Sequence, residues 1–506
     1  MHSIYLPLHI WDREFESRLV IACIEAWKGN IAIIGHEYNI SKLYERDNNA
    51  LLFRAGGPLN HSIRGRWHNL ITSNGGIVIT QDEEGINNLP LIFCREFKKL
   101  RVKLDLKKIS EYPQTANLQA FKDVSLELAW SNLHRAYLSH QIKQIECRAY
   151  AVNNILDASS TRFDLLGDLG LIIQERTINS IHSLFGNYIL VLDNFSVNLR
   201  GQKAIIDPTN DLRQAGWSDE EIKKHIDRIE KNRSIESKAR EDFSQIIKNL
   251  AREQPDINFI FRPHPVLDPS FWHQQFSGYK NISIIEKGSI HAWIYGSTAT
   301  IHSGCTTGLE AYGAGKETLD ISSLISHRTD SIKTSLIGQS ARKLDSYREL
   351  KSFIKQLWIQ SGQENLTYST INSIRQEYQA CHSENPINNA LNIIKRNSSK
   401  VANNIRGQLN LSNAEDVFGS NSAIAEISKA SDKLNSQNKK KYNENILSKP
   451  IGNMLPNLGK SRYVSEQEVR NKLADICLTF DKLGMKVPPV GIRQIGINSF
   501  AILRDH

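Results

Sequence analysis

The chain reads as an α/β protein built from two Rossmann-like domains. Two observations predict this. Short all-apolar runs, of the kind buried on both faces of a parallel sheet, alternate with longer segments of helical period, and the succession restarts near residue 188. Residues 4–10 are the first predicted strand. Residues 16–28 follow as a helix, with Leu19, Ala22, Cys23, Ala26 and Trp27 at helical spacing and Gly29 as the stop. Residues 31–35, 50–53 and 76–80 repeat the apolar run, the last leading into Gln81-Asp82-Glu83-Glu84-Gly85. Residues 115–150 read as mainly helical, with Trp130, His134 and Tyr137 along one face, and 156–166 as a connecting segment. The first domain is expected over 1–150 and the interdomain connector over 151–185.

The second series opens with the strand Tyr188-Ile189-Leu190-Val191-Leu192, followed by Asp193-Asn194-Phe195. Amphipathic helices are predicted over 218–229 and 234–252, strands over 258–261 and 282–285, a hydroxyl-rich turn over 302–308, and a strand over 317–321. That places the second domain at 186–345 and closing helices at 346–396. Beyond 397 the composition shifts to Asn, Ser and Lys, most plainly from Asn435 to Asn445. Such a stretch buries too little apolar area to offset its ordering entropy, so 397–460 is expected to be a flexible linker. Residues 461–506 are expected to be a small C-terminal segment, a helix over 464–485 and then a strand or docking piece.

Length and composition set the bounds. With 506 residues there is room for two or three domains, and 40% hydrophobic residues with a mean hydropathy of −0.40 describe a soluble globular protein. No run of about eighteen apolar residues predicts a membrane span. The start lacks a basic stretch before its apolar part and reads as a strand, not a signal peptide. Six cysteines form no C-x-x-C pair, which argues against a zinc knuckle or a disulfide framework and for a reducing cytoplasm. The net charge of +9 is spread along the chain with no compact basic helix, so no nucleic-acid partner is expected.

The chemistry concentrates in two places of the second domain. Phe259-Ile260-Phe261-Arg262-Pro263-His264-Pro265 is a strand ending in two donors for an anion. His302-Ser303-Gly304-Cys305-Thr306-Thr307-Gly308 is a hydroxyl-rich turn at a helix start, which presents free backbone N–H groups. Together Arg262, His264, His302, Ser303, Thr306 and Thr307 suggest a phosphate site, and Glu310, one turn later, could take ribose hydroxyls. Each piece alone also fits an ordinary proline-stiffened loop or a helix N-cap. In the first domain, Asp82, Glu83 and Glu84 follow a strand end, where a carboxylate could act as base or nucleophile or stand as a solvated turn. Arg13 and Arg18 in the first βα turn, Arg162 and Asp164 in the connector, and Asp193 and Asn194 after the first strand of the second domain are further candidates for a cleft between the domains.

In order along the chain, Arg13–Leu19, Asp82–Gly85, Thr161–Leu166, Leu192–Phe195, Arg262–Pro265 and His302–Glu310 resemble the motifs of bacterial surface carbohydrate biosynthesis proteins. That family is related to GT-B glycosyltransferases that use CMP-activated sugars such as Kdo and sialic-acid-like nonulosonates. The resemblance covers about residues 1–345. It implies two Rossmann-like domains facing a central cleft, and transfer of a sugar from a nucleotide donor to a hydroxyl of a surface polysaccharide or lipid-linked glycan. The resemblance further implies that a carboxylate of the Glu83-Glu84-Gly85 signature would be the base, and that His264 and the Thr306-Thr307 pair would hold the CMP phosphate. The family shows a Gly-x-Pro-Arg turn where this chain has Ser159-Ser160-Thr161-Arg162, and Asn-Thr-Asn-Phe where it has Leu192-Asp193-Asn194-Phe195. No cofactor or metal is expected beyond the nucleotide sugar. A CDP-glycerol-type polyol-phosphate transferase and a non-catalytic nucleotide- or glycan-binding scaffold are the alternatives. The expected location is the cytoplasm, with peripheral association at the inner face of the membrane.

Overall fold

The structure, a computed structural model, describes residues 2–8, 11–44, 47, 50–55, 62–81, 123–129, 134–135, 138–139, 155–158, 160–166, 168–195, 218–265, 268–326, 341–363, 422–437, 464–482, 488–496 and 498–504. They fall into two compact units. Unit 1 is drawn from Met1–Glu175, Gln379–Pro456 and Ser461–His506, and unit 2 from Arg176–Tyr378 and Asn457–Lys460.

Unit 1 contains six parallel strands: β1 (Ser3–Leu8), β2 (Ile31–His36), β3 (Ala50–Ala55), β4 (Ile77–Gln81), β5 (Leu126–Ala129) and β6 (Ile155–Asp157). A C-terminal hairpin, β13 (Val490–Gly496) and β14 (Ser499–Arg504), joins antiparallel beyond β2, giving the order β13-β14-β2-β1-β3-β4-β5-β6. Helices α1 (Trp11–Trp27), α2 (Glu37–Tyr44) and α3 (Ser62–Ser73) make the early crossovers. Every residue of α1 from Glu14 to Ala26 is buried. A helix covered all round needs neighbours on both sides. The sheet supplies one, and the other comes from α10 (Ala423–Gln437) and α11 (Glu466–Lys482), whose Ile424, Ile427, Leu473, Ile476 and Phe480 share its core. Gly29, at φ +82°, ends α1, with Gly29 N–H donating to the Ala26 carbonyl and Asn30 N–H to that of Glu25.

The expectation of a flexible linker over 397–460 therefore fails for Ala423–Gln437; the rest of that stretch lies outside the described residues. Nor is 461–506 a separate segment. The averaged polarity of the tail concealed an amphipathic face, and its serines and asparagines make specific bonds. His2 Nδ1 pairs with Asn435 Oδ1 at 2.9 Å and its Nε2 with Ser431 Oγ at 3.1 Å. Lys28 reaches Asp432 at 2.8 Å, and Ser431 also donates to buried Glu25. A second correction concerns 115–150. Leu126–Ala129, read as helical, is a strand paired parallel to β4 through Ile79↔Leu126 and Thr80↔Glu127. Leu, Glu and Ala favour helices, but sheet context outweighs a propensity worth well under about 1 kcal/mol per residue.

In unit 2 six parallel strands, β7 (Ile189–Leu192), β8 (Phe259–Arg262), β9 (Ile282–Ile284), β10 (Ala299–His302), β11 (Glu317–Asp320) and β12 (Arg342–Lys343), are ordered β12-β11-β10-β7-β8-β9. The first strand is central, the next two step away to one side, and the last three fill the other. That is the dinucleotide-fold order, with its reversal between β7 and β10. Helix α4 (Asp168–Phe185) leads into the unit, and α5 (Asp219–Glu253), α6 (Ser270–Phe276), α7 (Ile290–Gly296), α8 (Thr306–Gly313) and α9 (Tyr347–Gln363) complete it. The two helices expected over 218–229 and 234–252 are one, since neither Gly nor Pro interrupts 219–253. Of the closing helices expected over 346–396, α9 is described and 364–396 lies outside the described residues. Trp272 anchors the aromatic core against Phe261 (centroids 4.4 Å apart), Phe276 (5.7 Å) and Phe195 (6.2 Å).

Among the described residues, no helix is long and apolar enough to cross a membrane.

Candidate functional site

The carboxyl ends of β7, β8 and β10 bring most of the predicted phosphate ligands of unit 2 onto one edge of its sheet. The His264 bend and the threonine turn do not leave adjacent strands. β7 lies between them, and the two residues that follow it tie both loops down.

Asp193 is buried and accepts from Phe195 N–H (2.9 Å), Trp272 Nε1 (2.8 Å) and His264 N–H (3.4 Å). Burial pushes its carboxyl up to about 6, against the opposing pull of those donors and of Arg240. Asn194 spans the reversal point. Its Nδ2 donates to the Ser303 carbonyl at 3.2 Å, and Ser303 Oγ donates back to its Oδ1 at 3.1 Å. This reciprocal pair fixes the loop after β10 to the loop after β7, where a parallel sheet opens a crevice for ligands.

The turn itself is built on glycine and histidine. Gly304 has φ +84°, a left-handed conformation that side chains disfavour. The buried His302 ring accepts from Gly304 N–H (3.0 Å) and Cys305 N–H (3.4 Å) through Nδ1, which assigns its proton to Nε2. Burial holds this imidazole below its ordinary pKa, so it stays neutral and shapes the turn from below. A methyl group at Gly308 would fall on the same ring, which accounts for the glycine two residues into α8. Above this floor, Thr306 and Thr307 are half-buried as the first two residues of α8. Amides at that position have no carbonyl partner within their own helix and face an anion favourably. His264 is half-buried in the loop after β8.

Other predicted ligands sit elsewhere in the architecture. Arg262 points to the β9–α7 loop, donating to the carbonyls of Lys287 (2.5 Å) and Gly288 (2.7 Å). Glu310 is fully buried and lies 3.3 Å from His291 Nε2. In unit 1, Arg18 is buried beneath the sheet edge, stacking over Phe53 (4.3 Å) and donating to Thr161 Oγ1 at 2.9 Å. Asp164 is buried and accepts the Ile424 N–H at 3.0 Å, capping α10. Arg162 is buried and Arg13 half-buried. Asp82, Glu83 and Glu84 lie outside the described residues; Gln81 just before them accepts the Thr161 N–H at 3.2 Å. Sequence reasoning missed Trp272 and Arg240 around Asp193. The aromatic pattern of Phe271-Trp272 and the guanidinium of Arg240, 3.7 Å over the Phe271 ring, carry no motif signal. It also missed His291 as the partner of Glu310.

By sequence the chain matches no family profile and no curated protein. In three dimensions it is similar to the wall teichoic acid polymerase TagF, at 9% identity over 86% of this chain and 88% of that one, with a TM-score of 0.39. It is also similar to the UDP-GlcNAc 2-epimerase of Neisseria meningitidis bound to UDP-GlcNAc, at 12% identity over 78% of this chain and 98% of that one, TM-score 0.39. The S. aureus MnaA–UDP structure matches at 10% identity over 71% and 88%, TM-score 0.38. Likenesses this distant say nothing of substrate. The class that the fold defines is a two-unit Rossmann-like α/β protein.

Proposed function

We propose that this protein is a metal-independent transferase that takes a group from a nucleotide-linked donor and passes it to a hydroxyl acceptor in surface-glycan assembly. The observation that carries the reading is the Asn194–Ser303 pair at the strand-order reversal, with the amide ends of Thr306 and Thr307 and the side chain of His264 on the same sheet edge. Such an edge suits a donor phosphate because N–H groups, hydroxyls and an imidazole can all donate to its oxygens. As the bond to the transferred group breaks, charge builds on the phosphate, and fixed donors stabilise it without reorganising.

The roles differ from residue to residue. Thr306, Thr307 and His264 contact the phosphate. Asn194, Ser303 and His302 hold the turn, and Asp193 holds the His264 loop. Arg262 acts through the β9–α7 loop. The acidic turn Asp82-Glu83-Glu84 is the proposed base or nucleophile toward the acceptor. A CMP-linked Kdo or nonulosonate sugar is the proposed donor, on the strength of the motif resemblance alone, and a CDP-linked polyol is the alternative.

The test is nucleotide release by purified protein offered CMP-, CDP-, UDP- and GDP-linked donors with a hydroxyl acceptor. Turnover on one nucleotide class, lost in the Thr306→Ala/Thr307→Ala double variant and in Glu83→Gln/Glu84→Gln, supports the proposal. No release from any donor, by a protein that binds none of the nucleotides, overturns it.

A further inference from the structure

Unit 1 contains a pair of thiols that no functional reading uses. Cys23 lies on α1 and Cys477 on α11, far apart in sequence, and both are free. The two helices run side by side in the same direction. Glu16 meets Lys472 Nζ at 3.2 Å near one end of the contact, and Trp27 meets Phe480 edge-on, centroids 5.0 Å apart, near the other. Between those two rungs Cys23 stands one helical turn before Trp27 and Cys477 one turn before Phe480, which brings the two thiols onto the faces where the helices meet. Cys23 is fully buried in the core that α1 and α11 share, whereas Cys477 is half-buried and reachable from solvent.

We propose that Cys23 and Cys477 form a dithiol site for thiol–disulfide exchange with a low-molecular-weight disulfide of the oxidised-glutathione class, and that the resulting bond staples the C-terminal extension to the first helix of unit 1. The asymmetry sets the order of events. The Cys477 thiolate attacks one sulfur of the small disulfide, forming a mixed disulfide and releasing one small thiolate. Cys23 then gives up its proton and attacks the Cys477 sulfur, which releases the second small thiol. One protein dithiol and one small disulfide thus become one protein disulfide and two small thiols. Cys23, as a donor beside it, holds the Cys477 thiol below its ordinary pKa, while burial pushes that of Cys23 up, which fits Cys477 as the attacking group and Cys23 as the resolving one. The bond would close nearly the whole chain into one loop, the case in which a cross-link restricts the unfolded ensemble most.

The experiment uses the full-length protein as purified. It is equilibrated with oxidised glutathione, quenched with an alkylating reagent, and digested without reduction for mass spectrometry. The expected result is a linked peptide pair containing Cys23 and Cys477, two fewer alkylated thiols among the six cysteines, and full reversal by dithiothreitol. The Cys23→Ala variant should accumulate the glutathione adduct on Cys477. Native protein in which Cys477 stops at the mixed disulfide overturns the proposal. So does protein in which both thiols stay unmodified, or in which Cys477 links to another cysteine. The wild-type mapping alone decides the matter if the variant fails to fold.

Discussion

The two units differ in what they build over their buried polar residues. In unit 1 Arg18 and Asp164 are buried in internal bonds, to Thr161 and to the backbone of Ile424. In unit 2 Arg262 and Glu310 are likewise taken up by internal partners, but a buried layer, Asp193, His302 and Ser303, also supports a half-buried layer, His264, Thr306 and Thr307. Residue types that looked equivalent in sequence therefore do different work.

The largest effect that separates the units should come from the C-terminal extension. Deleting 422–506 removes β14 from the sheet of unit 1 and exposes the second face of α1, so unit 1 should not fold while unit 2 retains native-like protection. Amide exchange by mass spectrometry reads both units in one sample; protection retained in α1 would break the comparison. Phe480→Ala is a milder form of the same test. Loss of a fully buried aromatic side chain should cost about 3–5 kcal/mol, seen as a lower denaturant midpoint for unit 1.

Titration sharpens the contrast, because His2 of unit 1 and Asp193 of unit 2 should respond to pH with opposite signs. His2 is buried and its pKa is lowered, chiefly by burial, to about 4. Between pH 6.5 and 4 the unfolded chain binds its proton more readily, so stability present above 6.5 is lost on acidification. The loss is on the order of 3 kcal/mol and should be absent in His2→Gln. Asp193 is raised to about 6, so its contribution is complete below about 3.8 and is lost as pH rises through about 6. The stability gap between wild type and Asp193→Asn should therefore narrow from pH 4 to 7 by on the order of 3 kcal/mol. Urea unfolding at both pH values checks each sign. The smallest effect belongs to Asp164→Ala, which removes the acceptor of the Ile424 N–H while Ser422 still caps α10 through the Ala425 N–H, at a cost of roughly 1 kcal/mol, and should leave unit 2 unchanged.

The parallel-sheet units were legible because fully buried strands are mostly apolar, as β1 and β2 are, or wholly so, as β7 is, and because Gly29 marks a helix end by its backbone geometry. The threonine turn was legible for a similar reason: Gly304, Thr306 and Thr307 are local chemistry. What stayed hidden is long-range. Nothing near Asp164 announces α10, and nothing near Glu310 announces His291. Leu126–Ala129 carries helix-forming residues that only pairing with β4 makes a strand. The tail misled through its average composition, since Ser431 and Asn435 read as linker until His2 and Asn30 are placed beside them.

The central claim is that the sheet edge of unit 2 binds a nucleotide through its phosphate at the β10–α8 turn. Calorimetric titration of the full chain with CMP, CDP, UDP and GDP tests it most directly, comparing wild type with the Thr306→Ala/Thr307→Ala variant at matched folded fraction. The account predicts saturable binding of at least one nucleotide by wild type, weakened about tenfold or more in the variant, which corresponds to about 1.4 kcal/mol or more of lost binding. Equal affinity in both proteins, or binding to neither, would contradict it.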